Sequence, residues 1–421
     1  MATTALRKEI EVSSPTRQRV MGIVFLVLAA GIWLLFGRTT GTGIVTTFNL
    51  VPGGIESNLP DWNLPTLGTL NTLAMFSAFF GAMQLVRGFG RRTNLVLAVV
   101  SGFFIFGFLT WAAAGRSLNL AGLLNTSLSK AVPITLGALS GVLCERAGVV
   151  NIAIEGMMLA AAMVASLVGS VSHSLWIGLI AGVITGALLG LVHAVLSIKY
   201  MTDQIISGTV INIFAGGITA FVSAKFMQPI QSLNDPGIFR PFEIPLLGKI
   251  PVLGPILFNN NLFIYAMFLF LIVLHVALFS TRWGLRLRSV GEHPKAADTL
   301  GINVFRTRYM AVLLGGMMAG FAGAYFTIGS VGRFDEFMTA GRGFIGLAAM
   351  IFGNWTPFGS FGAGLLFGFA DSIASKLAIL GVRIPSEFML MAPYIATMVV
   401  LAGVVGRGQM PAADGQPYVK E

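Results

Sequence analysis

Charge is scarce in this 421-residue chain: Asp, Glu, Lys and Arg make up 10% of it, against 55% hydrophobic residues. So little charge cannot cover a soluble globule of this length, and a mean hydropathy of +0.82 points to a bilayer. Cysteine is rarer still. Cys144 is the only one, which excludes an internal disulfide framework or a thiolate metal site. The four histidines, His173, His193, His275 and His293, stand singly, with no HExxH pair to hold a metal on one helical face. A phosphate-cradling GxxxxGK[ST] loop is missing too, since the one Gly-Lys pair, Gly248 and Lys249, runs on into Ile250. There is no GxSxG elbow. Together these absences argue against an enzyme and against a self-contained nucleotide motor.

What the chain has is apolar stretches, about a dozen, each to be judged against the roughly 18 residues that cross a hydrocarbon core. Full-length spans are expected near 20–37, 66–86, 94–114, 175–198, 205–224, 262–280, 308–330, 356–377 and 388–405. Shorter or interrupted pieces lie near 120–145, 149–170 and 342–354. The fold expectation is all-α, a polytopic transmembrane bundle of about 10–12 spans with broken or re-entrant helices. Arg7, Lys8, Arg17 and Arg19 precede the first span, and no small-residue cleavage site follows it, so it reads as a retained anchor.

The formal charge of +10 is distributed as small clusters between apolar stretches, which suits membrane orientation better than nucleic-acid binding. Arg87, Arg91, Arg92, Arg146, Lys199, the connector 282–308 and Arg407 fall on one side if twelve crossings are counted. Both termini are then expected to be cytoplasmic. The connector carries Arg282, Arg286, Arg288, Lys295, Arg306 and Arg308 against Glu292 and Asp298, leaving +4. Within it GEHPKAADTLGI, from Gly291, is more charged than a simple return needs. It reads as a cytoplasmic docking surface, or more blandly as a positive-inside loop. The opposite loop, 225–260, is rich in proline and suits a rigid exterior surface.

Polar groups inside apolar stretches are costly in lipid and need a partner or a task. The densest set is ERAGVVNIAIEG, from Glu145. Asn151 and Glu155 are four apart, so on a helix they would share a face. Two readings stand level: a broken helix lining a passage, or Asn151 capping a helix while Glu155 satisfies backbone or pairs with Arg146. A second set, GRGFIGLAAMIFGNWTPFGSFGAGLLFG from Gly341, is broken by Pro357 and Gly359. Two short interrupted segments in two halves of one chain point to an inverted repeat around a transport path. Asn212 reads more simply as an interhelical hydrogen bond, Asp371 and Lys376 as paired or snorkelling groups. Phe103, Phe104, Phe106 and Phe108 read as lipid-facing bulk, and Trp111, Trp283 and Trp355 as interfacial belt residues.

These two segments, with GLRLRSVGEHPKAADTLGI from Gly284, resemble the permease subunits of bacterial ABC importers for branched-chain amino acids, simple sugars and nucleosides. The pairing of NIAIEG with IFGNWTPFG is most similar to the nucleoside and simple-sugar group. The likeness spans about 118–405. Residues 1–114, with about three spans, fall outside it, 115–405 would form the permease domain, and 406–421 a cytoplasmic tail.

The resemblance implies a translocation subunit for nucleosides or related simple sugars, without its own ATPase site and without a cofactor. It implies as partners a cytoplasmic ABC ATPase, a second, paralogous permease and an extracytoplasmic substrate-binding lipoprotein, in a bacterial plasma membrane. It also makes Gly291, Glu292, His293, Pro294, Lys295, Ala296, Ala297 and Gly301 the coupling segment. The path residues expected from the two polar segments and α-helical neighbours are Asn151, Glu155, Asn212, Phe344 and Asn354. The competing expectation is an ion-coupled secondary transporter, with Glu155 or Asp371 as its ion site.

Overall fold

The computed structural model describes residues 14–52, 59–381, 391 and 410–420; the span expected at 388–405 lies outside them. Among the described residues ten helices are long and apolar enough to cross a membrane, so the chain is a polytopic helical membrane protein. Two expected boundaries differ. The piece near 120–145 is one unbroken 26-residue helix, Leu120–Glu145, with Pro133 inside it; neighbouring groups in a packed bundle can satisfy what a proline frees. The piece near 149–170 becomes a helix only at Ile154. The chain divides into two compact units.

The first unit comprises the described residues up to Gly122, with Leu377–Gly381. Its helices are α1 (Pro15–Gly31), α2 (Thr66–Val86) and α3 (Thr93–Ala112). Ser14 caps α1 by accepting from the Arg17 amide, with Pro15 at the first helical position. A small sheet joins them: β1 (Val45–Asn49) pairs antiparallel with β2 (Trp62–Pro65) and parallel with β3 (Ser117–Asn119). The phenylalanines of α3 are not plain lipid-facing bulk. Phe104 and Phe108 pack on Phe36, and Phe106 stacks on Phe48. Trp111 stacks on Phe36 as well.

The second unit holds Leu123–Lys376 and the segment 410–420. Its long helices are α4 (Leu120–Glu145, from Leu123 on), α5 (Ile154–Ser172), α6 (Leu175–Ala194), α7 (Gln204–Val222), α9 (Leu262–Ser280), α12 (Val304–Phe326) and α14 (Pro357–Ile379, as far as Lys376). Shorter ones are α8 (Leu253–Leu257), α10 (Arg282–Glu292), α11 (Pro294–Thr299) and α13 (Arg342–Phe352). In the stretches 120–145, 154–172 and 304–331 most residues are buried, whereas in α6, α7 and α9 only about a third are. The centre of this unit is therefore α4, α5 and α12.

Close approach in the bilayer depends on small side chains, because lipid gives apolar helices no reason to leave it. Gly182, Gly186 and Gly190 recur at every fourth position of α6 and meet Gly316 and Gly320 of α12. A Cβ at Gly186 would lie 2.3 Å from the Gly316 carbonyl oxygen, so the two backbones touch.

Candidate translocation path and connector

Residues 146–153 are the break between α4 and α5, and they do not form the shared helical face that a spacing of four suggests for Asn151 and Glu155. Asn151 lies ahead of α5. It is fully buried; its side-chain Oδ1 accepts from the Ala153 backbone amide at 3.1 Å and its Nδ2 reaches the Cys144 sulfur at 3.5 Å. Asn212, on α7, fastens the same helix start: it accepts from the Gly156 amide at 2.7 Å and donates to the Ile152 carbonyl at 2.9 Å.

Glu155, in the first turn of α5, reaches across to α13. Its two carboxylate oxygens accept from the amides of Gly341 and Gly343 at 2.8 and 2.6 Å. This is a carboxylate on the exposed amides and positive dipole end of a helix. Glycine at 343 makes it possible, since a Cβ there would lie 2.6 Å from the Glu155 Cα.

The other end of α13 is held by the same polar segment. Arg146 donates to the carbonyls of Trp355 and Asn354 at 2.9 and 3.1 Å, and the Trp355 indole donates to Glu145 at 2.5 Å. Asn354 and Trp355 take left-handed conformations with φ of 53° and 51°, which turns the chain out of α13 and aims these carbonyls at the guanidinium. A cation thus sits on the negative end of α13 and an anion on its positive end. Trp355 is buried in this contact, not in an interfacial belt. Phe344, on the same helix, is 47% exposed and Asn354 is exposed.

Beside the α13 start lies a cluster that local sequence patterns do not single out. Asp371 of α14 pairs with Lys130 of α4 at 3.2 Å and with Arg342 at 3.4 Å, rather than with Lys376. Lys130 also donates to the Ser375 hydroxyl at 2.6 Å. Tyr325 donates to the Ser129 carbonyl at 2.8 Å, and the Arg342 guanidinium lies over the Phe326 ring. Counting Glu155 on the neighbouring amides, two cations and two carboxylates stand at this end of α13, so the site is balanced in charge. Lys130 could have been found in the sequence as a lysine deep in an apolar stretch; its partners, more than 200 residues away, could not.

At one end of the unit a cleft of about 710 Å³ opens between the residues after α7 and those after α12, lined by Gln228, Gln231, Asn234, Asp235, Arg333 and Glu336 among others. Asn234 fixes its wall, accepting from the Phe334 amide at 2.7 Å and donating to the Phe334 carbonyl at 2.9 Å.

The connector folds as two helices. In α10, Gly284, Leu287, Val290 and Gly291 turn inward while Arg282, Leu285 and Arg286 face out. After His293, Pro294 opens the six-residue α11. Glu292, His293, Lys295, Ala296 and Gly301 are exposed, Pro294 is half-buried, and Gly291 and Ala297 are buried. Gly291 abuts the break after α4, for a Cβ there would fall 2.2 Å from the Arg146 carbonyl oxygen. The segment 410–420 lies against this connector: the Ala413 amide donates to the Gly291 carbonyl at 2.9 Å, and Tyr418 is buried with Val290, Ala297 and Val304. Asp414 is buried near Glu145 and Arg308, and burial pushes its carboxyl up to about 7 although the Arg308 charge pulls it down.

The sequence profile of the family described as "Branched-chain amino acid transport system / permease component" matches residues 123–405. The guanosine ABC transporter permease protein NupQ of Bacillus subtilis is 42% identical over 306 residues, covering 70% of this chain and 95% of that protein. The nucleoside ABC transporter permease protein NupC of Lactococcus lactis is 40% identical over 301 residues, 68% and 93% of the two chains. The putative glucose ABC transporter permease protein TsgC13 of Haloferax volcanii is 31% identical over 328 residues, 72% and 98%. No solved structure matches. The family match begins at the first residue of the second unit, and with relatives this similar over nearly their full lengths, the chain belongs to the permease components of the branched-chain amino acid transport family.

Proposed function

We propose that this chain forms the translocation path of an ATP-driven nucleoside importer in a bacterial plasma membrane. The connector, on this reading, faces the cytoplasm with both termini, and the 710 Å³ cleft opens outward to receive substrate from a binding lipoprotein. A paralogous permease completes the path. Gly291, Glu292, His293, Pro294, Lys295, Ala296, Ala297 and Gly301 engage a separate ATPase.

The observation that carries this reading is the double clamp on α13. Gly291 rests on the Arg146–Gly148 turn, that turn grips the end of α13, and Glu155, nine residues on, grips its start. A displacement of the connector therefore reaches Phe344 and the charge-balanced cluster through a few direct contacts. Because the charges of Lys130, Arg342, Asp371 and Glu155 sum to zero, a path beside them favours an uncharged solute whose hydroxyls and ring nitrogens need hydrogen bonds rather than a counter-ion. The substrates for which the nucleoside relatives are named agree with that chemistry.

The ion-coupled alternative would use Glu155 or Asp371 as its ion site, yet both carboxylates are occupied by protein donors. The test is uptake of radiolabelled guanosine in cells with and without the companion ATPase. ATPase-dependent accumulation is expected; accumulation without it, collapsing when the proton or sodium gradient is removed, overturns the proposal.

A further inference from the structure

The connector does not stand alone, and what backs it suggests a larger docking surface. A six-residue helix such as α11 is too short to hold its shape in isolation. The segment Met410–Lys420 braces it and the ends of α10 and α12 on either side of it. The Ala413 amide bonds the Gly291 carbonyl at 2.9 Å and the Ala412 amide the Glu292 carboxylate at 3.2 Å. Tyr418 fills the hydrophobic cluster under α11 and packs on Phe305. Arg308, almost wholly buried, donates to the Gln416 carbonyl at 2.9 Å, and Lys420 lies 3.8 Å from Asp298 of α11.

The side of this brace turned away from the bundle is left open. Val419 is 60% exposed and Leu300, two residues past Asp298, is 82% exposed. Lys420, next to Val419, and Arg306, six residues past Leu300, are exposed cations, and the connector as a whole carries more basic than acidic residues. Exposed aliphatic side chains on a net basic segment fit an apolar cleft with carboxylates at its edge.

We propose that Met410–Lys420 and α11 together form one docking platform for the cytoplasmic ATPase, with Val419 and Leu300 seated in its cleft. This rests on the coupling reading above and extends it to a segment that lies beyond the matched residues 123–405. The ATPase therefore meets a composite surface whose halves are held together by the buried cluster of Tyr418 with Ala297 and by the Lys420–Asp298 pair.

The test is co-purification of the ATPase with the full transporter complex carrying Val419→Asp, Tyr418→Ala or Ala296→Trp, with size-exclusion profiles of the permease as the folding control. Val419→Asp alters only an exposed position and is expected to lower the retained ATPase about tenfold, as truncating an interface hot spot does. Tyr418→Ala, which unseats the brace, is expected to do the same. Wild-type retention with Val419→Asp but loss with Ala296→Trp overturns the composite platform and leaves the coupling reading standing. Wild-type retention with both overturns the coupling reading and this inference with it.

Discussion

Glu155 commits both carboxylate oxygens to two backbone amides of another helix, and a neutral amide at that position can accept only one of those bonds. Glu155→Gln is expected to cost about 1–3 kcal/mol, as leaving a buried donor unpaired does, read as a lower thermal unfolding midpoint of the purified protein. An unchanged midpoint would show that the clamp contributes little. Asp414 supplies a pH dependence. Its ordinary value is 3.8 and burial near Glu145 raises it to about 7, so the seated segment favours the protonated acid. That advantage is fully present below about pH 3.8, declines as the pH rises through about 7, and is gone above. Hydrogen exchange at 411–418, corrected for the intrinsic pH dependence of the chemistry, is expected to be better protected at pH 5 than at pH 8. Asp414→Asn is expected to flatten the difference.

Among the elements, the seam between α6 and α12 tolerates no side chain where Gly186 faces Gly316. Gly186→Leu is expected to destabilise by about 3 kcal/mol or more, because overpacking must push the facing backbones apart, and to appear as loss of monodisperse protein after solubilisation. The same letters show what a single sequence conveys and what it does not. Apolar length located α2, α6, α9 and α14 closely, since crossing a bilayer demands it. It misjudged 120–145, where Ser127, Ser129, Lys130 and Pro133 dilute the hydropathy of a helix that is buried in protein rather than lipid. The two polar segments stood out by their cost in lipid, yet their meeting at α13 depends on contacts roughly 190–210 residues apart, which no local pattern encodes. Asn151 and Glu155 looked like one helical face because the spacing alone did not reveal that the helix begins at Ile154.

On the scale of the whole molecule, the division after Gly122 coincides with the start of the family match. The permease relatives are covered over 93–98% of their lengths by about 70% of this chain, so the additional N-terminal unit is not needed to build a permease of their kind. A chain lacking residues 1–113 is expected to insert and to retain ATPase-dependent nucleoside uptake; loss of uptake with normal insertion would assign that unit to transport itself. The three helices and small sheet of this unit were legible only as spans. β1, β2 and β3 are strands of three to five residues, too short to leave an alternating signature.

Cys144 lies fully buried behind Asn151 and is the one thiol in the chain. Soluble maleimides cannot reach it while the bundle is closed, so the unaltered protein already serves as a silent background for spectroscopy. Single cysteines introduced at Leu300, Val419 and Phe344 could be labelled in pairs without first removing a native group, and the distances between the labels would follow the connector and α13 through a transport cycle.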